Sequence, residues 1–281
     1  MMSKQKKNNV MQQVKLDGVK NILMVASGKG GVGKSTVASN LAMSLSRQGY
    51  KTGLLDADLY GPSVPILFGI EKERPEARRE GEKDIMIPIE KHGVKVMSIG
   101  FLMSQQDAVI WRGPMASNAL TQILTDTAWG ELDYLIIDMP PGTGDINITL
   151  AQKLKQASAL VVITPQKLAV SDGVKAANMF LHKALKIPVL GVIENMSYFV
   201  PLQHPEEKYY LFGQGGGRQL AEQTHTQLLG EIPLVQDVSE HTDKGENLLE
   251  NGNELFINVF SDLAKRIVEQ TEVVRQEVSQ Q

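Results

Sequence analysis

Nine residues, Gly28-Lys29-Gly30-Gly31-Val32-Gly33-Lys34-Ser35-Thr36, place four glycines, two lysines and adjacent hydroxyls in one run. The spacing satisfies G-x-x-x-x-G-K-[ST], and its chemistry is the wrapping of phosphate. Glycine removes the Cβ that would hold a backbone away from phosphate oxygens. The amides of Gly28, Gly30, Gly31, Val32 and Gly33, with the start of the next helix, supply donors and positive potential. Lys34 is placed to reach the β and γ phosphates of a nucleoside triphosphate, Ser35 to set its hydroxyl on magnesium, and Thr36 to reach the α phosphate.

Three acids extend this chemistry. Asp138 closes the apolar run Leu135-Ile136-Ile137, where it can coordinate magnesium or accept from a water in its shell. Asp56 and Asp58 end the apolar segment that follows the first helix. Phosphoryl transfer depends on placement more than on a strong base, so Asp56 is assigned to the metal shell and Asp58 to orienting the attacking water. Either acid can instead cap local backbone. Pro140-Pro141-Gly142-Thr143-Gly144 is a stiff turn whose position after Asp138 suits a loop that senses the γ phosphate.

The elements needed to position these residues are legible around them. Residues 22–26 read as a buried strand and 36–48 as a helix, with Val37, Leu41 and Leu45 on one face. Further strands are expected at 52–55, 95–99, 134–137, 159–163 and 189–193, and helices at 114–129 and 169–185. Nearly continuous Val, Ile and Leu in the strands predict an α/β fold: a mostly parallel central sheet with helices on both faces, as in P-loop NTPases. A terminal helix over 254–274 would bury Leu255, Val259, Leu263 and Ile267. The expected organisation is a flexible lead-in at 1–20, one domain over 21–275 and a polar tail at 276–281. Residues 71–84 carry eleven charges in fourteen positions and read as a solvated, mobile insert. Residues 199–217 read as a hairpin-like excursion offering a contact surface.

Composition limits the function classes. The 281 residues carry a net charge of −3, which gives no general grip on nucleic acid. There is no cysteine, so no thiolate of this chain can hold iron or zinc. No run of 18 apolar residues occurs, and the basic start has no apolar stretch behind it. The end is polar and not basic, so no membrane anchor is expected, and the nucleotide motif points to a cytoplasmic protein.

Taken together, the segments resemble the Mrp/ApbC branch of the MinD/ParA-type P-loop ATPases, over about residues 21–260. The resemblance rests on the phosphate motif, on Leu55-Asp56-Ala57-Asp58-Leu59-Tyr60-Gly61-Pro62-Ser63, on Val109-Ile110-Trp111-Arg112-Gly113-Pro114-Met115, and on residues 133–145. Ile193-Glu194-Asn195-Met196-Ser197-Tyr198-Phe199 and residues 212–217 add to it. It implies a slow, magnesium-dependent ATPase with a deviant Walker A loop. It also implies a homodimer with ATP at the interface, in which Lys29 of one subunit reaches the phosphates of the other. Asn195 would read the adenine edge, and Pro233 would lie beside the base. Members of this branch look like iron–sulfur cluster carriers that use a C-x-x-C pair after Asn-Met-Ser-Tyr-Phe. Here the matching positions are Pro201 and His204. A cluster on this chain alone is therefore not expected, and a link to iron–sulfur protein maturation would run through an unidentified partner. The alternative is a nucleotide switch that positions a partner and has no cluster role.

Overall fold

The computed structural model describes residues 13–81, 83–102, 113–201, 203–204, 206–236, 238, 241–242 and 244–279. Positions 109–112 of the motif beginning at Val109 lie outside the described residues, as do 1–12 and 280–281.

The strands are β1 (Val19–Ala26), β2 (Thr52–Asp56), β3 (Glu76–Glu80), β4 (Lys83–Ile87), β5 (Ile89–Lys91), β6 (Val94–Ser98), β7 (Leu132–Asp138), β8 (Ala157–Ile163), β9 (Val189–Glu194) and β10 (Leu228–Glu231). The helices are α1 (Lys34–Arg47), α2 (Val64–Leu67), α3 (Gly113–Thr125), α4 (Asp145–Lys153), α5 (Lys167–Leu181), α6 (Gly216–Thr224), α7 (Leu248–Asn251) and α8 (Glu254–Ser279). Eight strands form one sheet in the order β10-β9-β8-β1-β7-β2-β6-β5, parallel except for the β5–β6 pair.

Strand β1 shows why the core strands are apolar where both faces are covered, here from Ile22 to Ala26. Leu23 and Val25 face the core built with α1, α6 and α8, while Ile22, Met24 and Ala26 face the core built with α3 and α4. Side chains alternate across the pleat, so a strand covered on both sides needs an apolar residue at every position. β1 lies between β8 and β7, and the chain winds away from it in both directions. Such a switch point opens a crevice at the carboxyl ends of the strands. The phosphate motif, Asp56, Asp58 and Asp138 all follow or end strands at that edge.

Five local expectations change. The charge-rich 71–84 segment is exposed, but much of it forms the antiparallel pair β3–β4. Arg79 opposes Asp84 and Glu80 opposes Lys83, so opposite charges face each other across the strands. The amide of Met86 and the carbonyl of Met86 bond Asp126 and Ala128, tying this pair to the end of α3. α3 itself stops at Thr125 rather than 129, and the indole N–H of Trp129 takes the Leu124 carbonyl at 3.0 Å. In α8 the buried stripe is Phe256, Phe260, Leu263, Ala264 and Ile267, so the two phenylalanines displace Leu255 and Val259 to the flanks. Part of the lead-in is packed: Leu16 is buried and the Val14 amide bonds the Lys153 carbonyl. The helix α8 also runs on through residues assigned to the tail.

Candidate nucleotide site

The phosphate motif spans the turn from β1 into α1. Gly31 and Gly33 have φ of 79° and 78°, in the left-handed region that glycine enters without strain. A Cβ on Gly28 would lie 2.1 Å from the Asp172 carbonyl oxygen, so the loop sits directly on the backbone of α5. A Cβ on Gly33 would lie 2.2 Å from Asn195 Nδ2. That amide donates to the Val32 carbonyl at 2.8 Å, clamping the loop from the end of β9.

Lys34 is buried and turned onto the acids. Its Nζ is 2.6 Å from Asp138 Oδ1, 3.8 Å from Asp58 Oδ2 and 3.3 Å from Ser35 Oγ. The second oxygens, Asp138 Oδ2 and Asp58 Oδ1, are buried and have no hydrogen-bond partner among the described residues. Two orphaned carboxylate oxygens beside a serine hydroxyl form an all-oxygen donor set, the chemistry that magnesium requires. The adjoining cleft has a volume of about 250 Å3 and is lined by the phosphate loop, Asp58, Ser63, Leu67 and Pro141, with Asp138 buried behind Lys34.

Asp56 is placed differently from its neighbour. It pairs in register with Asp138 across β2 and β7 and is fully buried. Its Oδ1 accepts from the Asp58 amide at 3.1 Å, and its Oδ2 from the Val64 amide at 3.2 Å and Ser98 Oγ at 3.0 Å. Both oxygens therefore serve the loop that carries Asp58, rather than the cleft. Burial, and then the nearby Asp138 carboxylate, push Asp56 up to about 8. Burial also raises Asp138, with Lys34 opposing the shift.

Between 3.8 and about 8 the folded protein holds a proton on Asp56 that the unfolded chain has released. Stability is expected to fall as pH rises through that window, by at most about 1.4 kcal/mol per pH unit for this one group. Urea unfolding at several pH values should show the decline, and Asp56→Asn should flatten it. The same slope in both proteins would contradict the assignment.

The remaining expected residues are placed as follows. Thr36 lines the cleft, and its carbonyl accepts from Asn40 Nδ2 at 2.9 Å. Lys29 also lines the cleft, with Nζ 3.5 Å from Gln166 Oε1 at the start of α5. Asn195 and Pro233 are outside the cleft lining but lie on adjoining segments, joined by the bond from the Ser197 amide to the Ile232 carbonyl at 2.9 Å. His204 is exposed, with Nδ1 3.5 Å from Glu206.

Sequence reasoning overlooked Glu194, Gln166 and Asn147. Glu194 is wholly buried and accepts from Ser197 Oγ and from the Gly217 amide, which fixes the start of α6 beside Asn195. An acid ending an apolar strand was its only signal. Among the described residues no helix is long and apolar enough to cross a membrane.

A phosphate loop on the central strand, a buried lysine and a carboxylate on the adjacent strand define this chain as a P-loop ATPase. It belongs to the ParA family described as NUBPL iron-transfer P-loop NTPase, which matches residues 18–268. It is 52% identical over 236 residues to the iron-sulfur cluster carrier protein of Aquifex aeolicus, covering 84% of this chain and 63% of that protein. The chain thus spans less than two thirds of that relative's length. A nucleotide-binding protein of Archaeoglobus fulgidus, solved in complex with ADP, has a TM-score of 0.74 at 39% identity and covers 87% of this chain and 93% of its own. The cell division ATPase MinD of Pyrococcus furiosus has a TM-score of 0.65 at 20% identity, covering 89% and 98%, a likeness of fold.

Proposed function

We propose that the chain is a magnesium-dependent ATPase, working as a homodimer with ATP at the subunit interface and serving iron–sulfur protein maturation without carrying a cluster on cysteine. The observation that carries the ATPase reading is Lys34 held between Asp138 and Asp58, with a free oxygen on each acid. Ser35 and Asp138 would hold magnesium, which when bound neutralises phosphate charge. Lys34 exchanges its carboxylate partner for phosphate oxygens. Asp58 orients the attacking water, and Asp56 acts behind it by fixing the loop through the amides of Asp58 and Val64. Lys29 serves the opposite subunit's phosphates, as an arginine finger would. Asn195 and Pro233 flank the base.

The maturation role rests on kinship with the Aquifex aeolicus carrier, and the lack of cysteine limits it. Pro201 has no donor for iron, and His204 offers one nitrogen per subunit. One experiment has two arms: ATP turnover with and without EDTA, and anaerobic incubation with iron and sulfide followed by visible spectroscopy. Turnover lost on chelation, with no stoichiometric cluster band, is the expected pair. Failure to retain ATP with magnesium would remove the first reading, and a stable cluster would refute the ligand argument.

A second reading, a nucleotide switch that positions a protein partner, is favoured by the 199–217 excursion. The mutual bonds of Phe199 and Tyr209 at 2.8 and 2.9 Å close its base. It exposes Tyr209, Tyr210 and Leu211. ATP-dependent capture of a partner through that surface would be its signature.

A further inference from the structure

Asn147 lies in the first turn of α4 and is 2% exposed. Its Nδ2 donates to the Pro140 carbonyl at 3.0 Å and the Gly142 carbonyl at 2.7 Å. From the other side the Gly142 amide donates to the Ser27 carbonyl, at the entrance to the phosphate loop, at 2.8 Å. Prolines have no N–H, so within 140–142 only the Gly142 amide can donate. Gly142 has φ +85°, a conformation other residues resist. The turn is therefore strung between Ser27 and Asn147, directly after Asp138, and its Pro141 lines the phosphate cleft.

The amide of Asn147 is incompletely satisfied. Its Oδ1 is buried and has no hydrogen-bond partner among the described residues. An orphaned acceptor costs free energy that an apolar residue of similar shape would avoid. Packing alone does not explain an asparagine here, whereas the two hydrogen bonds to the turn do. The other residues lining the cleft belong to the phosphate loop and to the segment from Asp58 to Leu67, so Asn147 acts on the wall that follows Asp138.

We infer that Asn147 is a positioning residue for ATP hydrolysis, holding the 140–142 turn where it distinguishes a triphosphate from a diphosphate. This deepens the ATPase reading and rests on it. The residue touches the turn, not the reacting atoms, so its loss changes the response to the terminal phosphate and spares the grip on ADP.

The test uses Asn147→Asp, which replaces a donor with an acceptor facing two carbonyls, and Asn147→Ala, which removes the donors without adding charge. Equilibrium binding of a fluorescent ADP and of a non-hydrolysable ATP analogue is measured beside kcat and thermal unfolding. The expected result is kcat lower by about tenfold or more and ATP-analogue affinity lower by about fivefold, with ADP affinity within about twofold of wild type. Equal loss of both affinities, or both variants turning over ATP like wild type, overturns the inference. If Asn147→Asp fails to fold, Asn147→Ala decides by the same comparison. A wild-type protein without turnover would sink the ATPase reading, while the ratio of the two affinities would still judge Asn147.

Discussion

Lys34→Ala is expected to lower ATP affinity by about 100-fold or more and to abolish turnover. Removing one partner of a buried, hydrogen-bonded charge pair costs about 2–5 kcal/mol, and each 1.4 kcal/mol is a factor of ten. Lys34 contacts Asp138 at 2.6 Å and lies 3.8 Å from Asp58, so the variant also leaves these acids without their ammonium. Thermal stability should therefore drop, and drop more at pH 8 than at pH 5. At the lower pH Asp138 and the neighbouring Asp56, whose affinity for protons burial has raised, can take up protons. Calorimetric titration with ATP and magnesium, beside melting curves at both pH values, checks each part. Binding within threefold of wild type would refute the cradle as drawn. The same variant separates the two functional readings. A partner retained by wild type with ATP but not ADP, and lost with Lys34→Ala, supports the switch.

Lys29→Ala should behave in the opposite way, leaving binding and removing chemistry. Among the described residues the hydrogen-bond partner of Lys29 Nζ is the amide oxygen of Gln166, at 3.5 Å, so little of the local cradle depends on it. A cationic finger supplied across an interface contributes about 10³–10⁵ in turnover. The expected outcome is kcat lower by about a thousandfold with ADP affinity within about threefold. Wild-type specific activity should also rise with protein concentration, and the variant's residual activity should not. An equal fall in affinity and turnover would place Lys29 in its own subunit's site.

The contiguous parts of this site were legible in the sequence. The residues from Gly28 to Thr36 carry their chemistry in local spacing, and Asp138 closes the buried apolar run Leu135-Ile136-Ile137. The roles of Asp56 and Asp58 were harder to divide, because both follow the same strand. What separates them is the curl of the chain back to Val64 and a hydroxyl from Ser98, 42 residues away. Strands β5 and β10 escaped notice because a three- or four-residue strand has too few positions to show a period, and neighbouring strands define it. In α8 the expected Leu263 and Ile267 are buried, but in its first turns Phe256 and Phe260 take the core positions expected for Leu255 and Val259, and Ser44 on α1 chooses between the two pairs. The Ser44 hydroxyl bonds the Phe260 carbonyl at 3.0 Å, which fixes the rotation.

The sheet ends on β5 and β10, strands of three and four residues. Glu90 and Lys91 place charge on the first margin, and Arg266 caps the Leu229 carbonyl of the second at 3.1 Å. Neither margin offers a long bare ladder on which another chain could template itself. The central sheet is thus guarded at both ends against runaway fibre-like stacking.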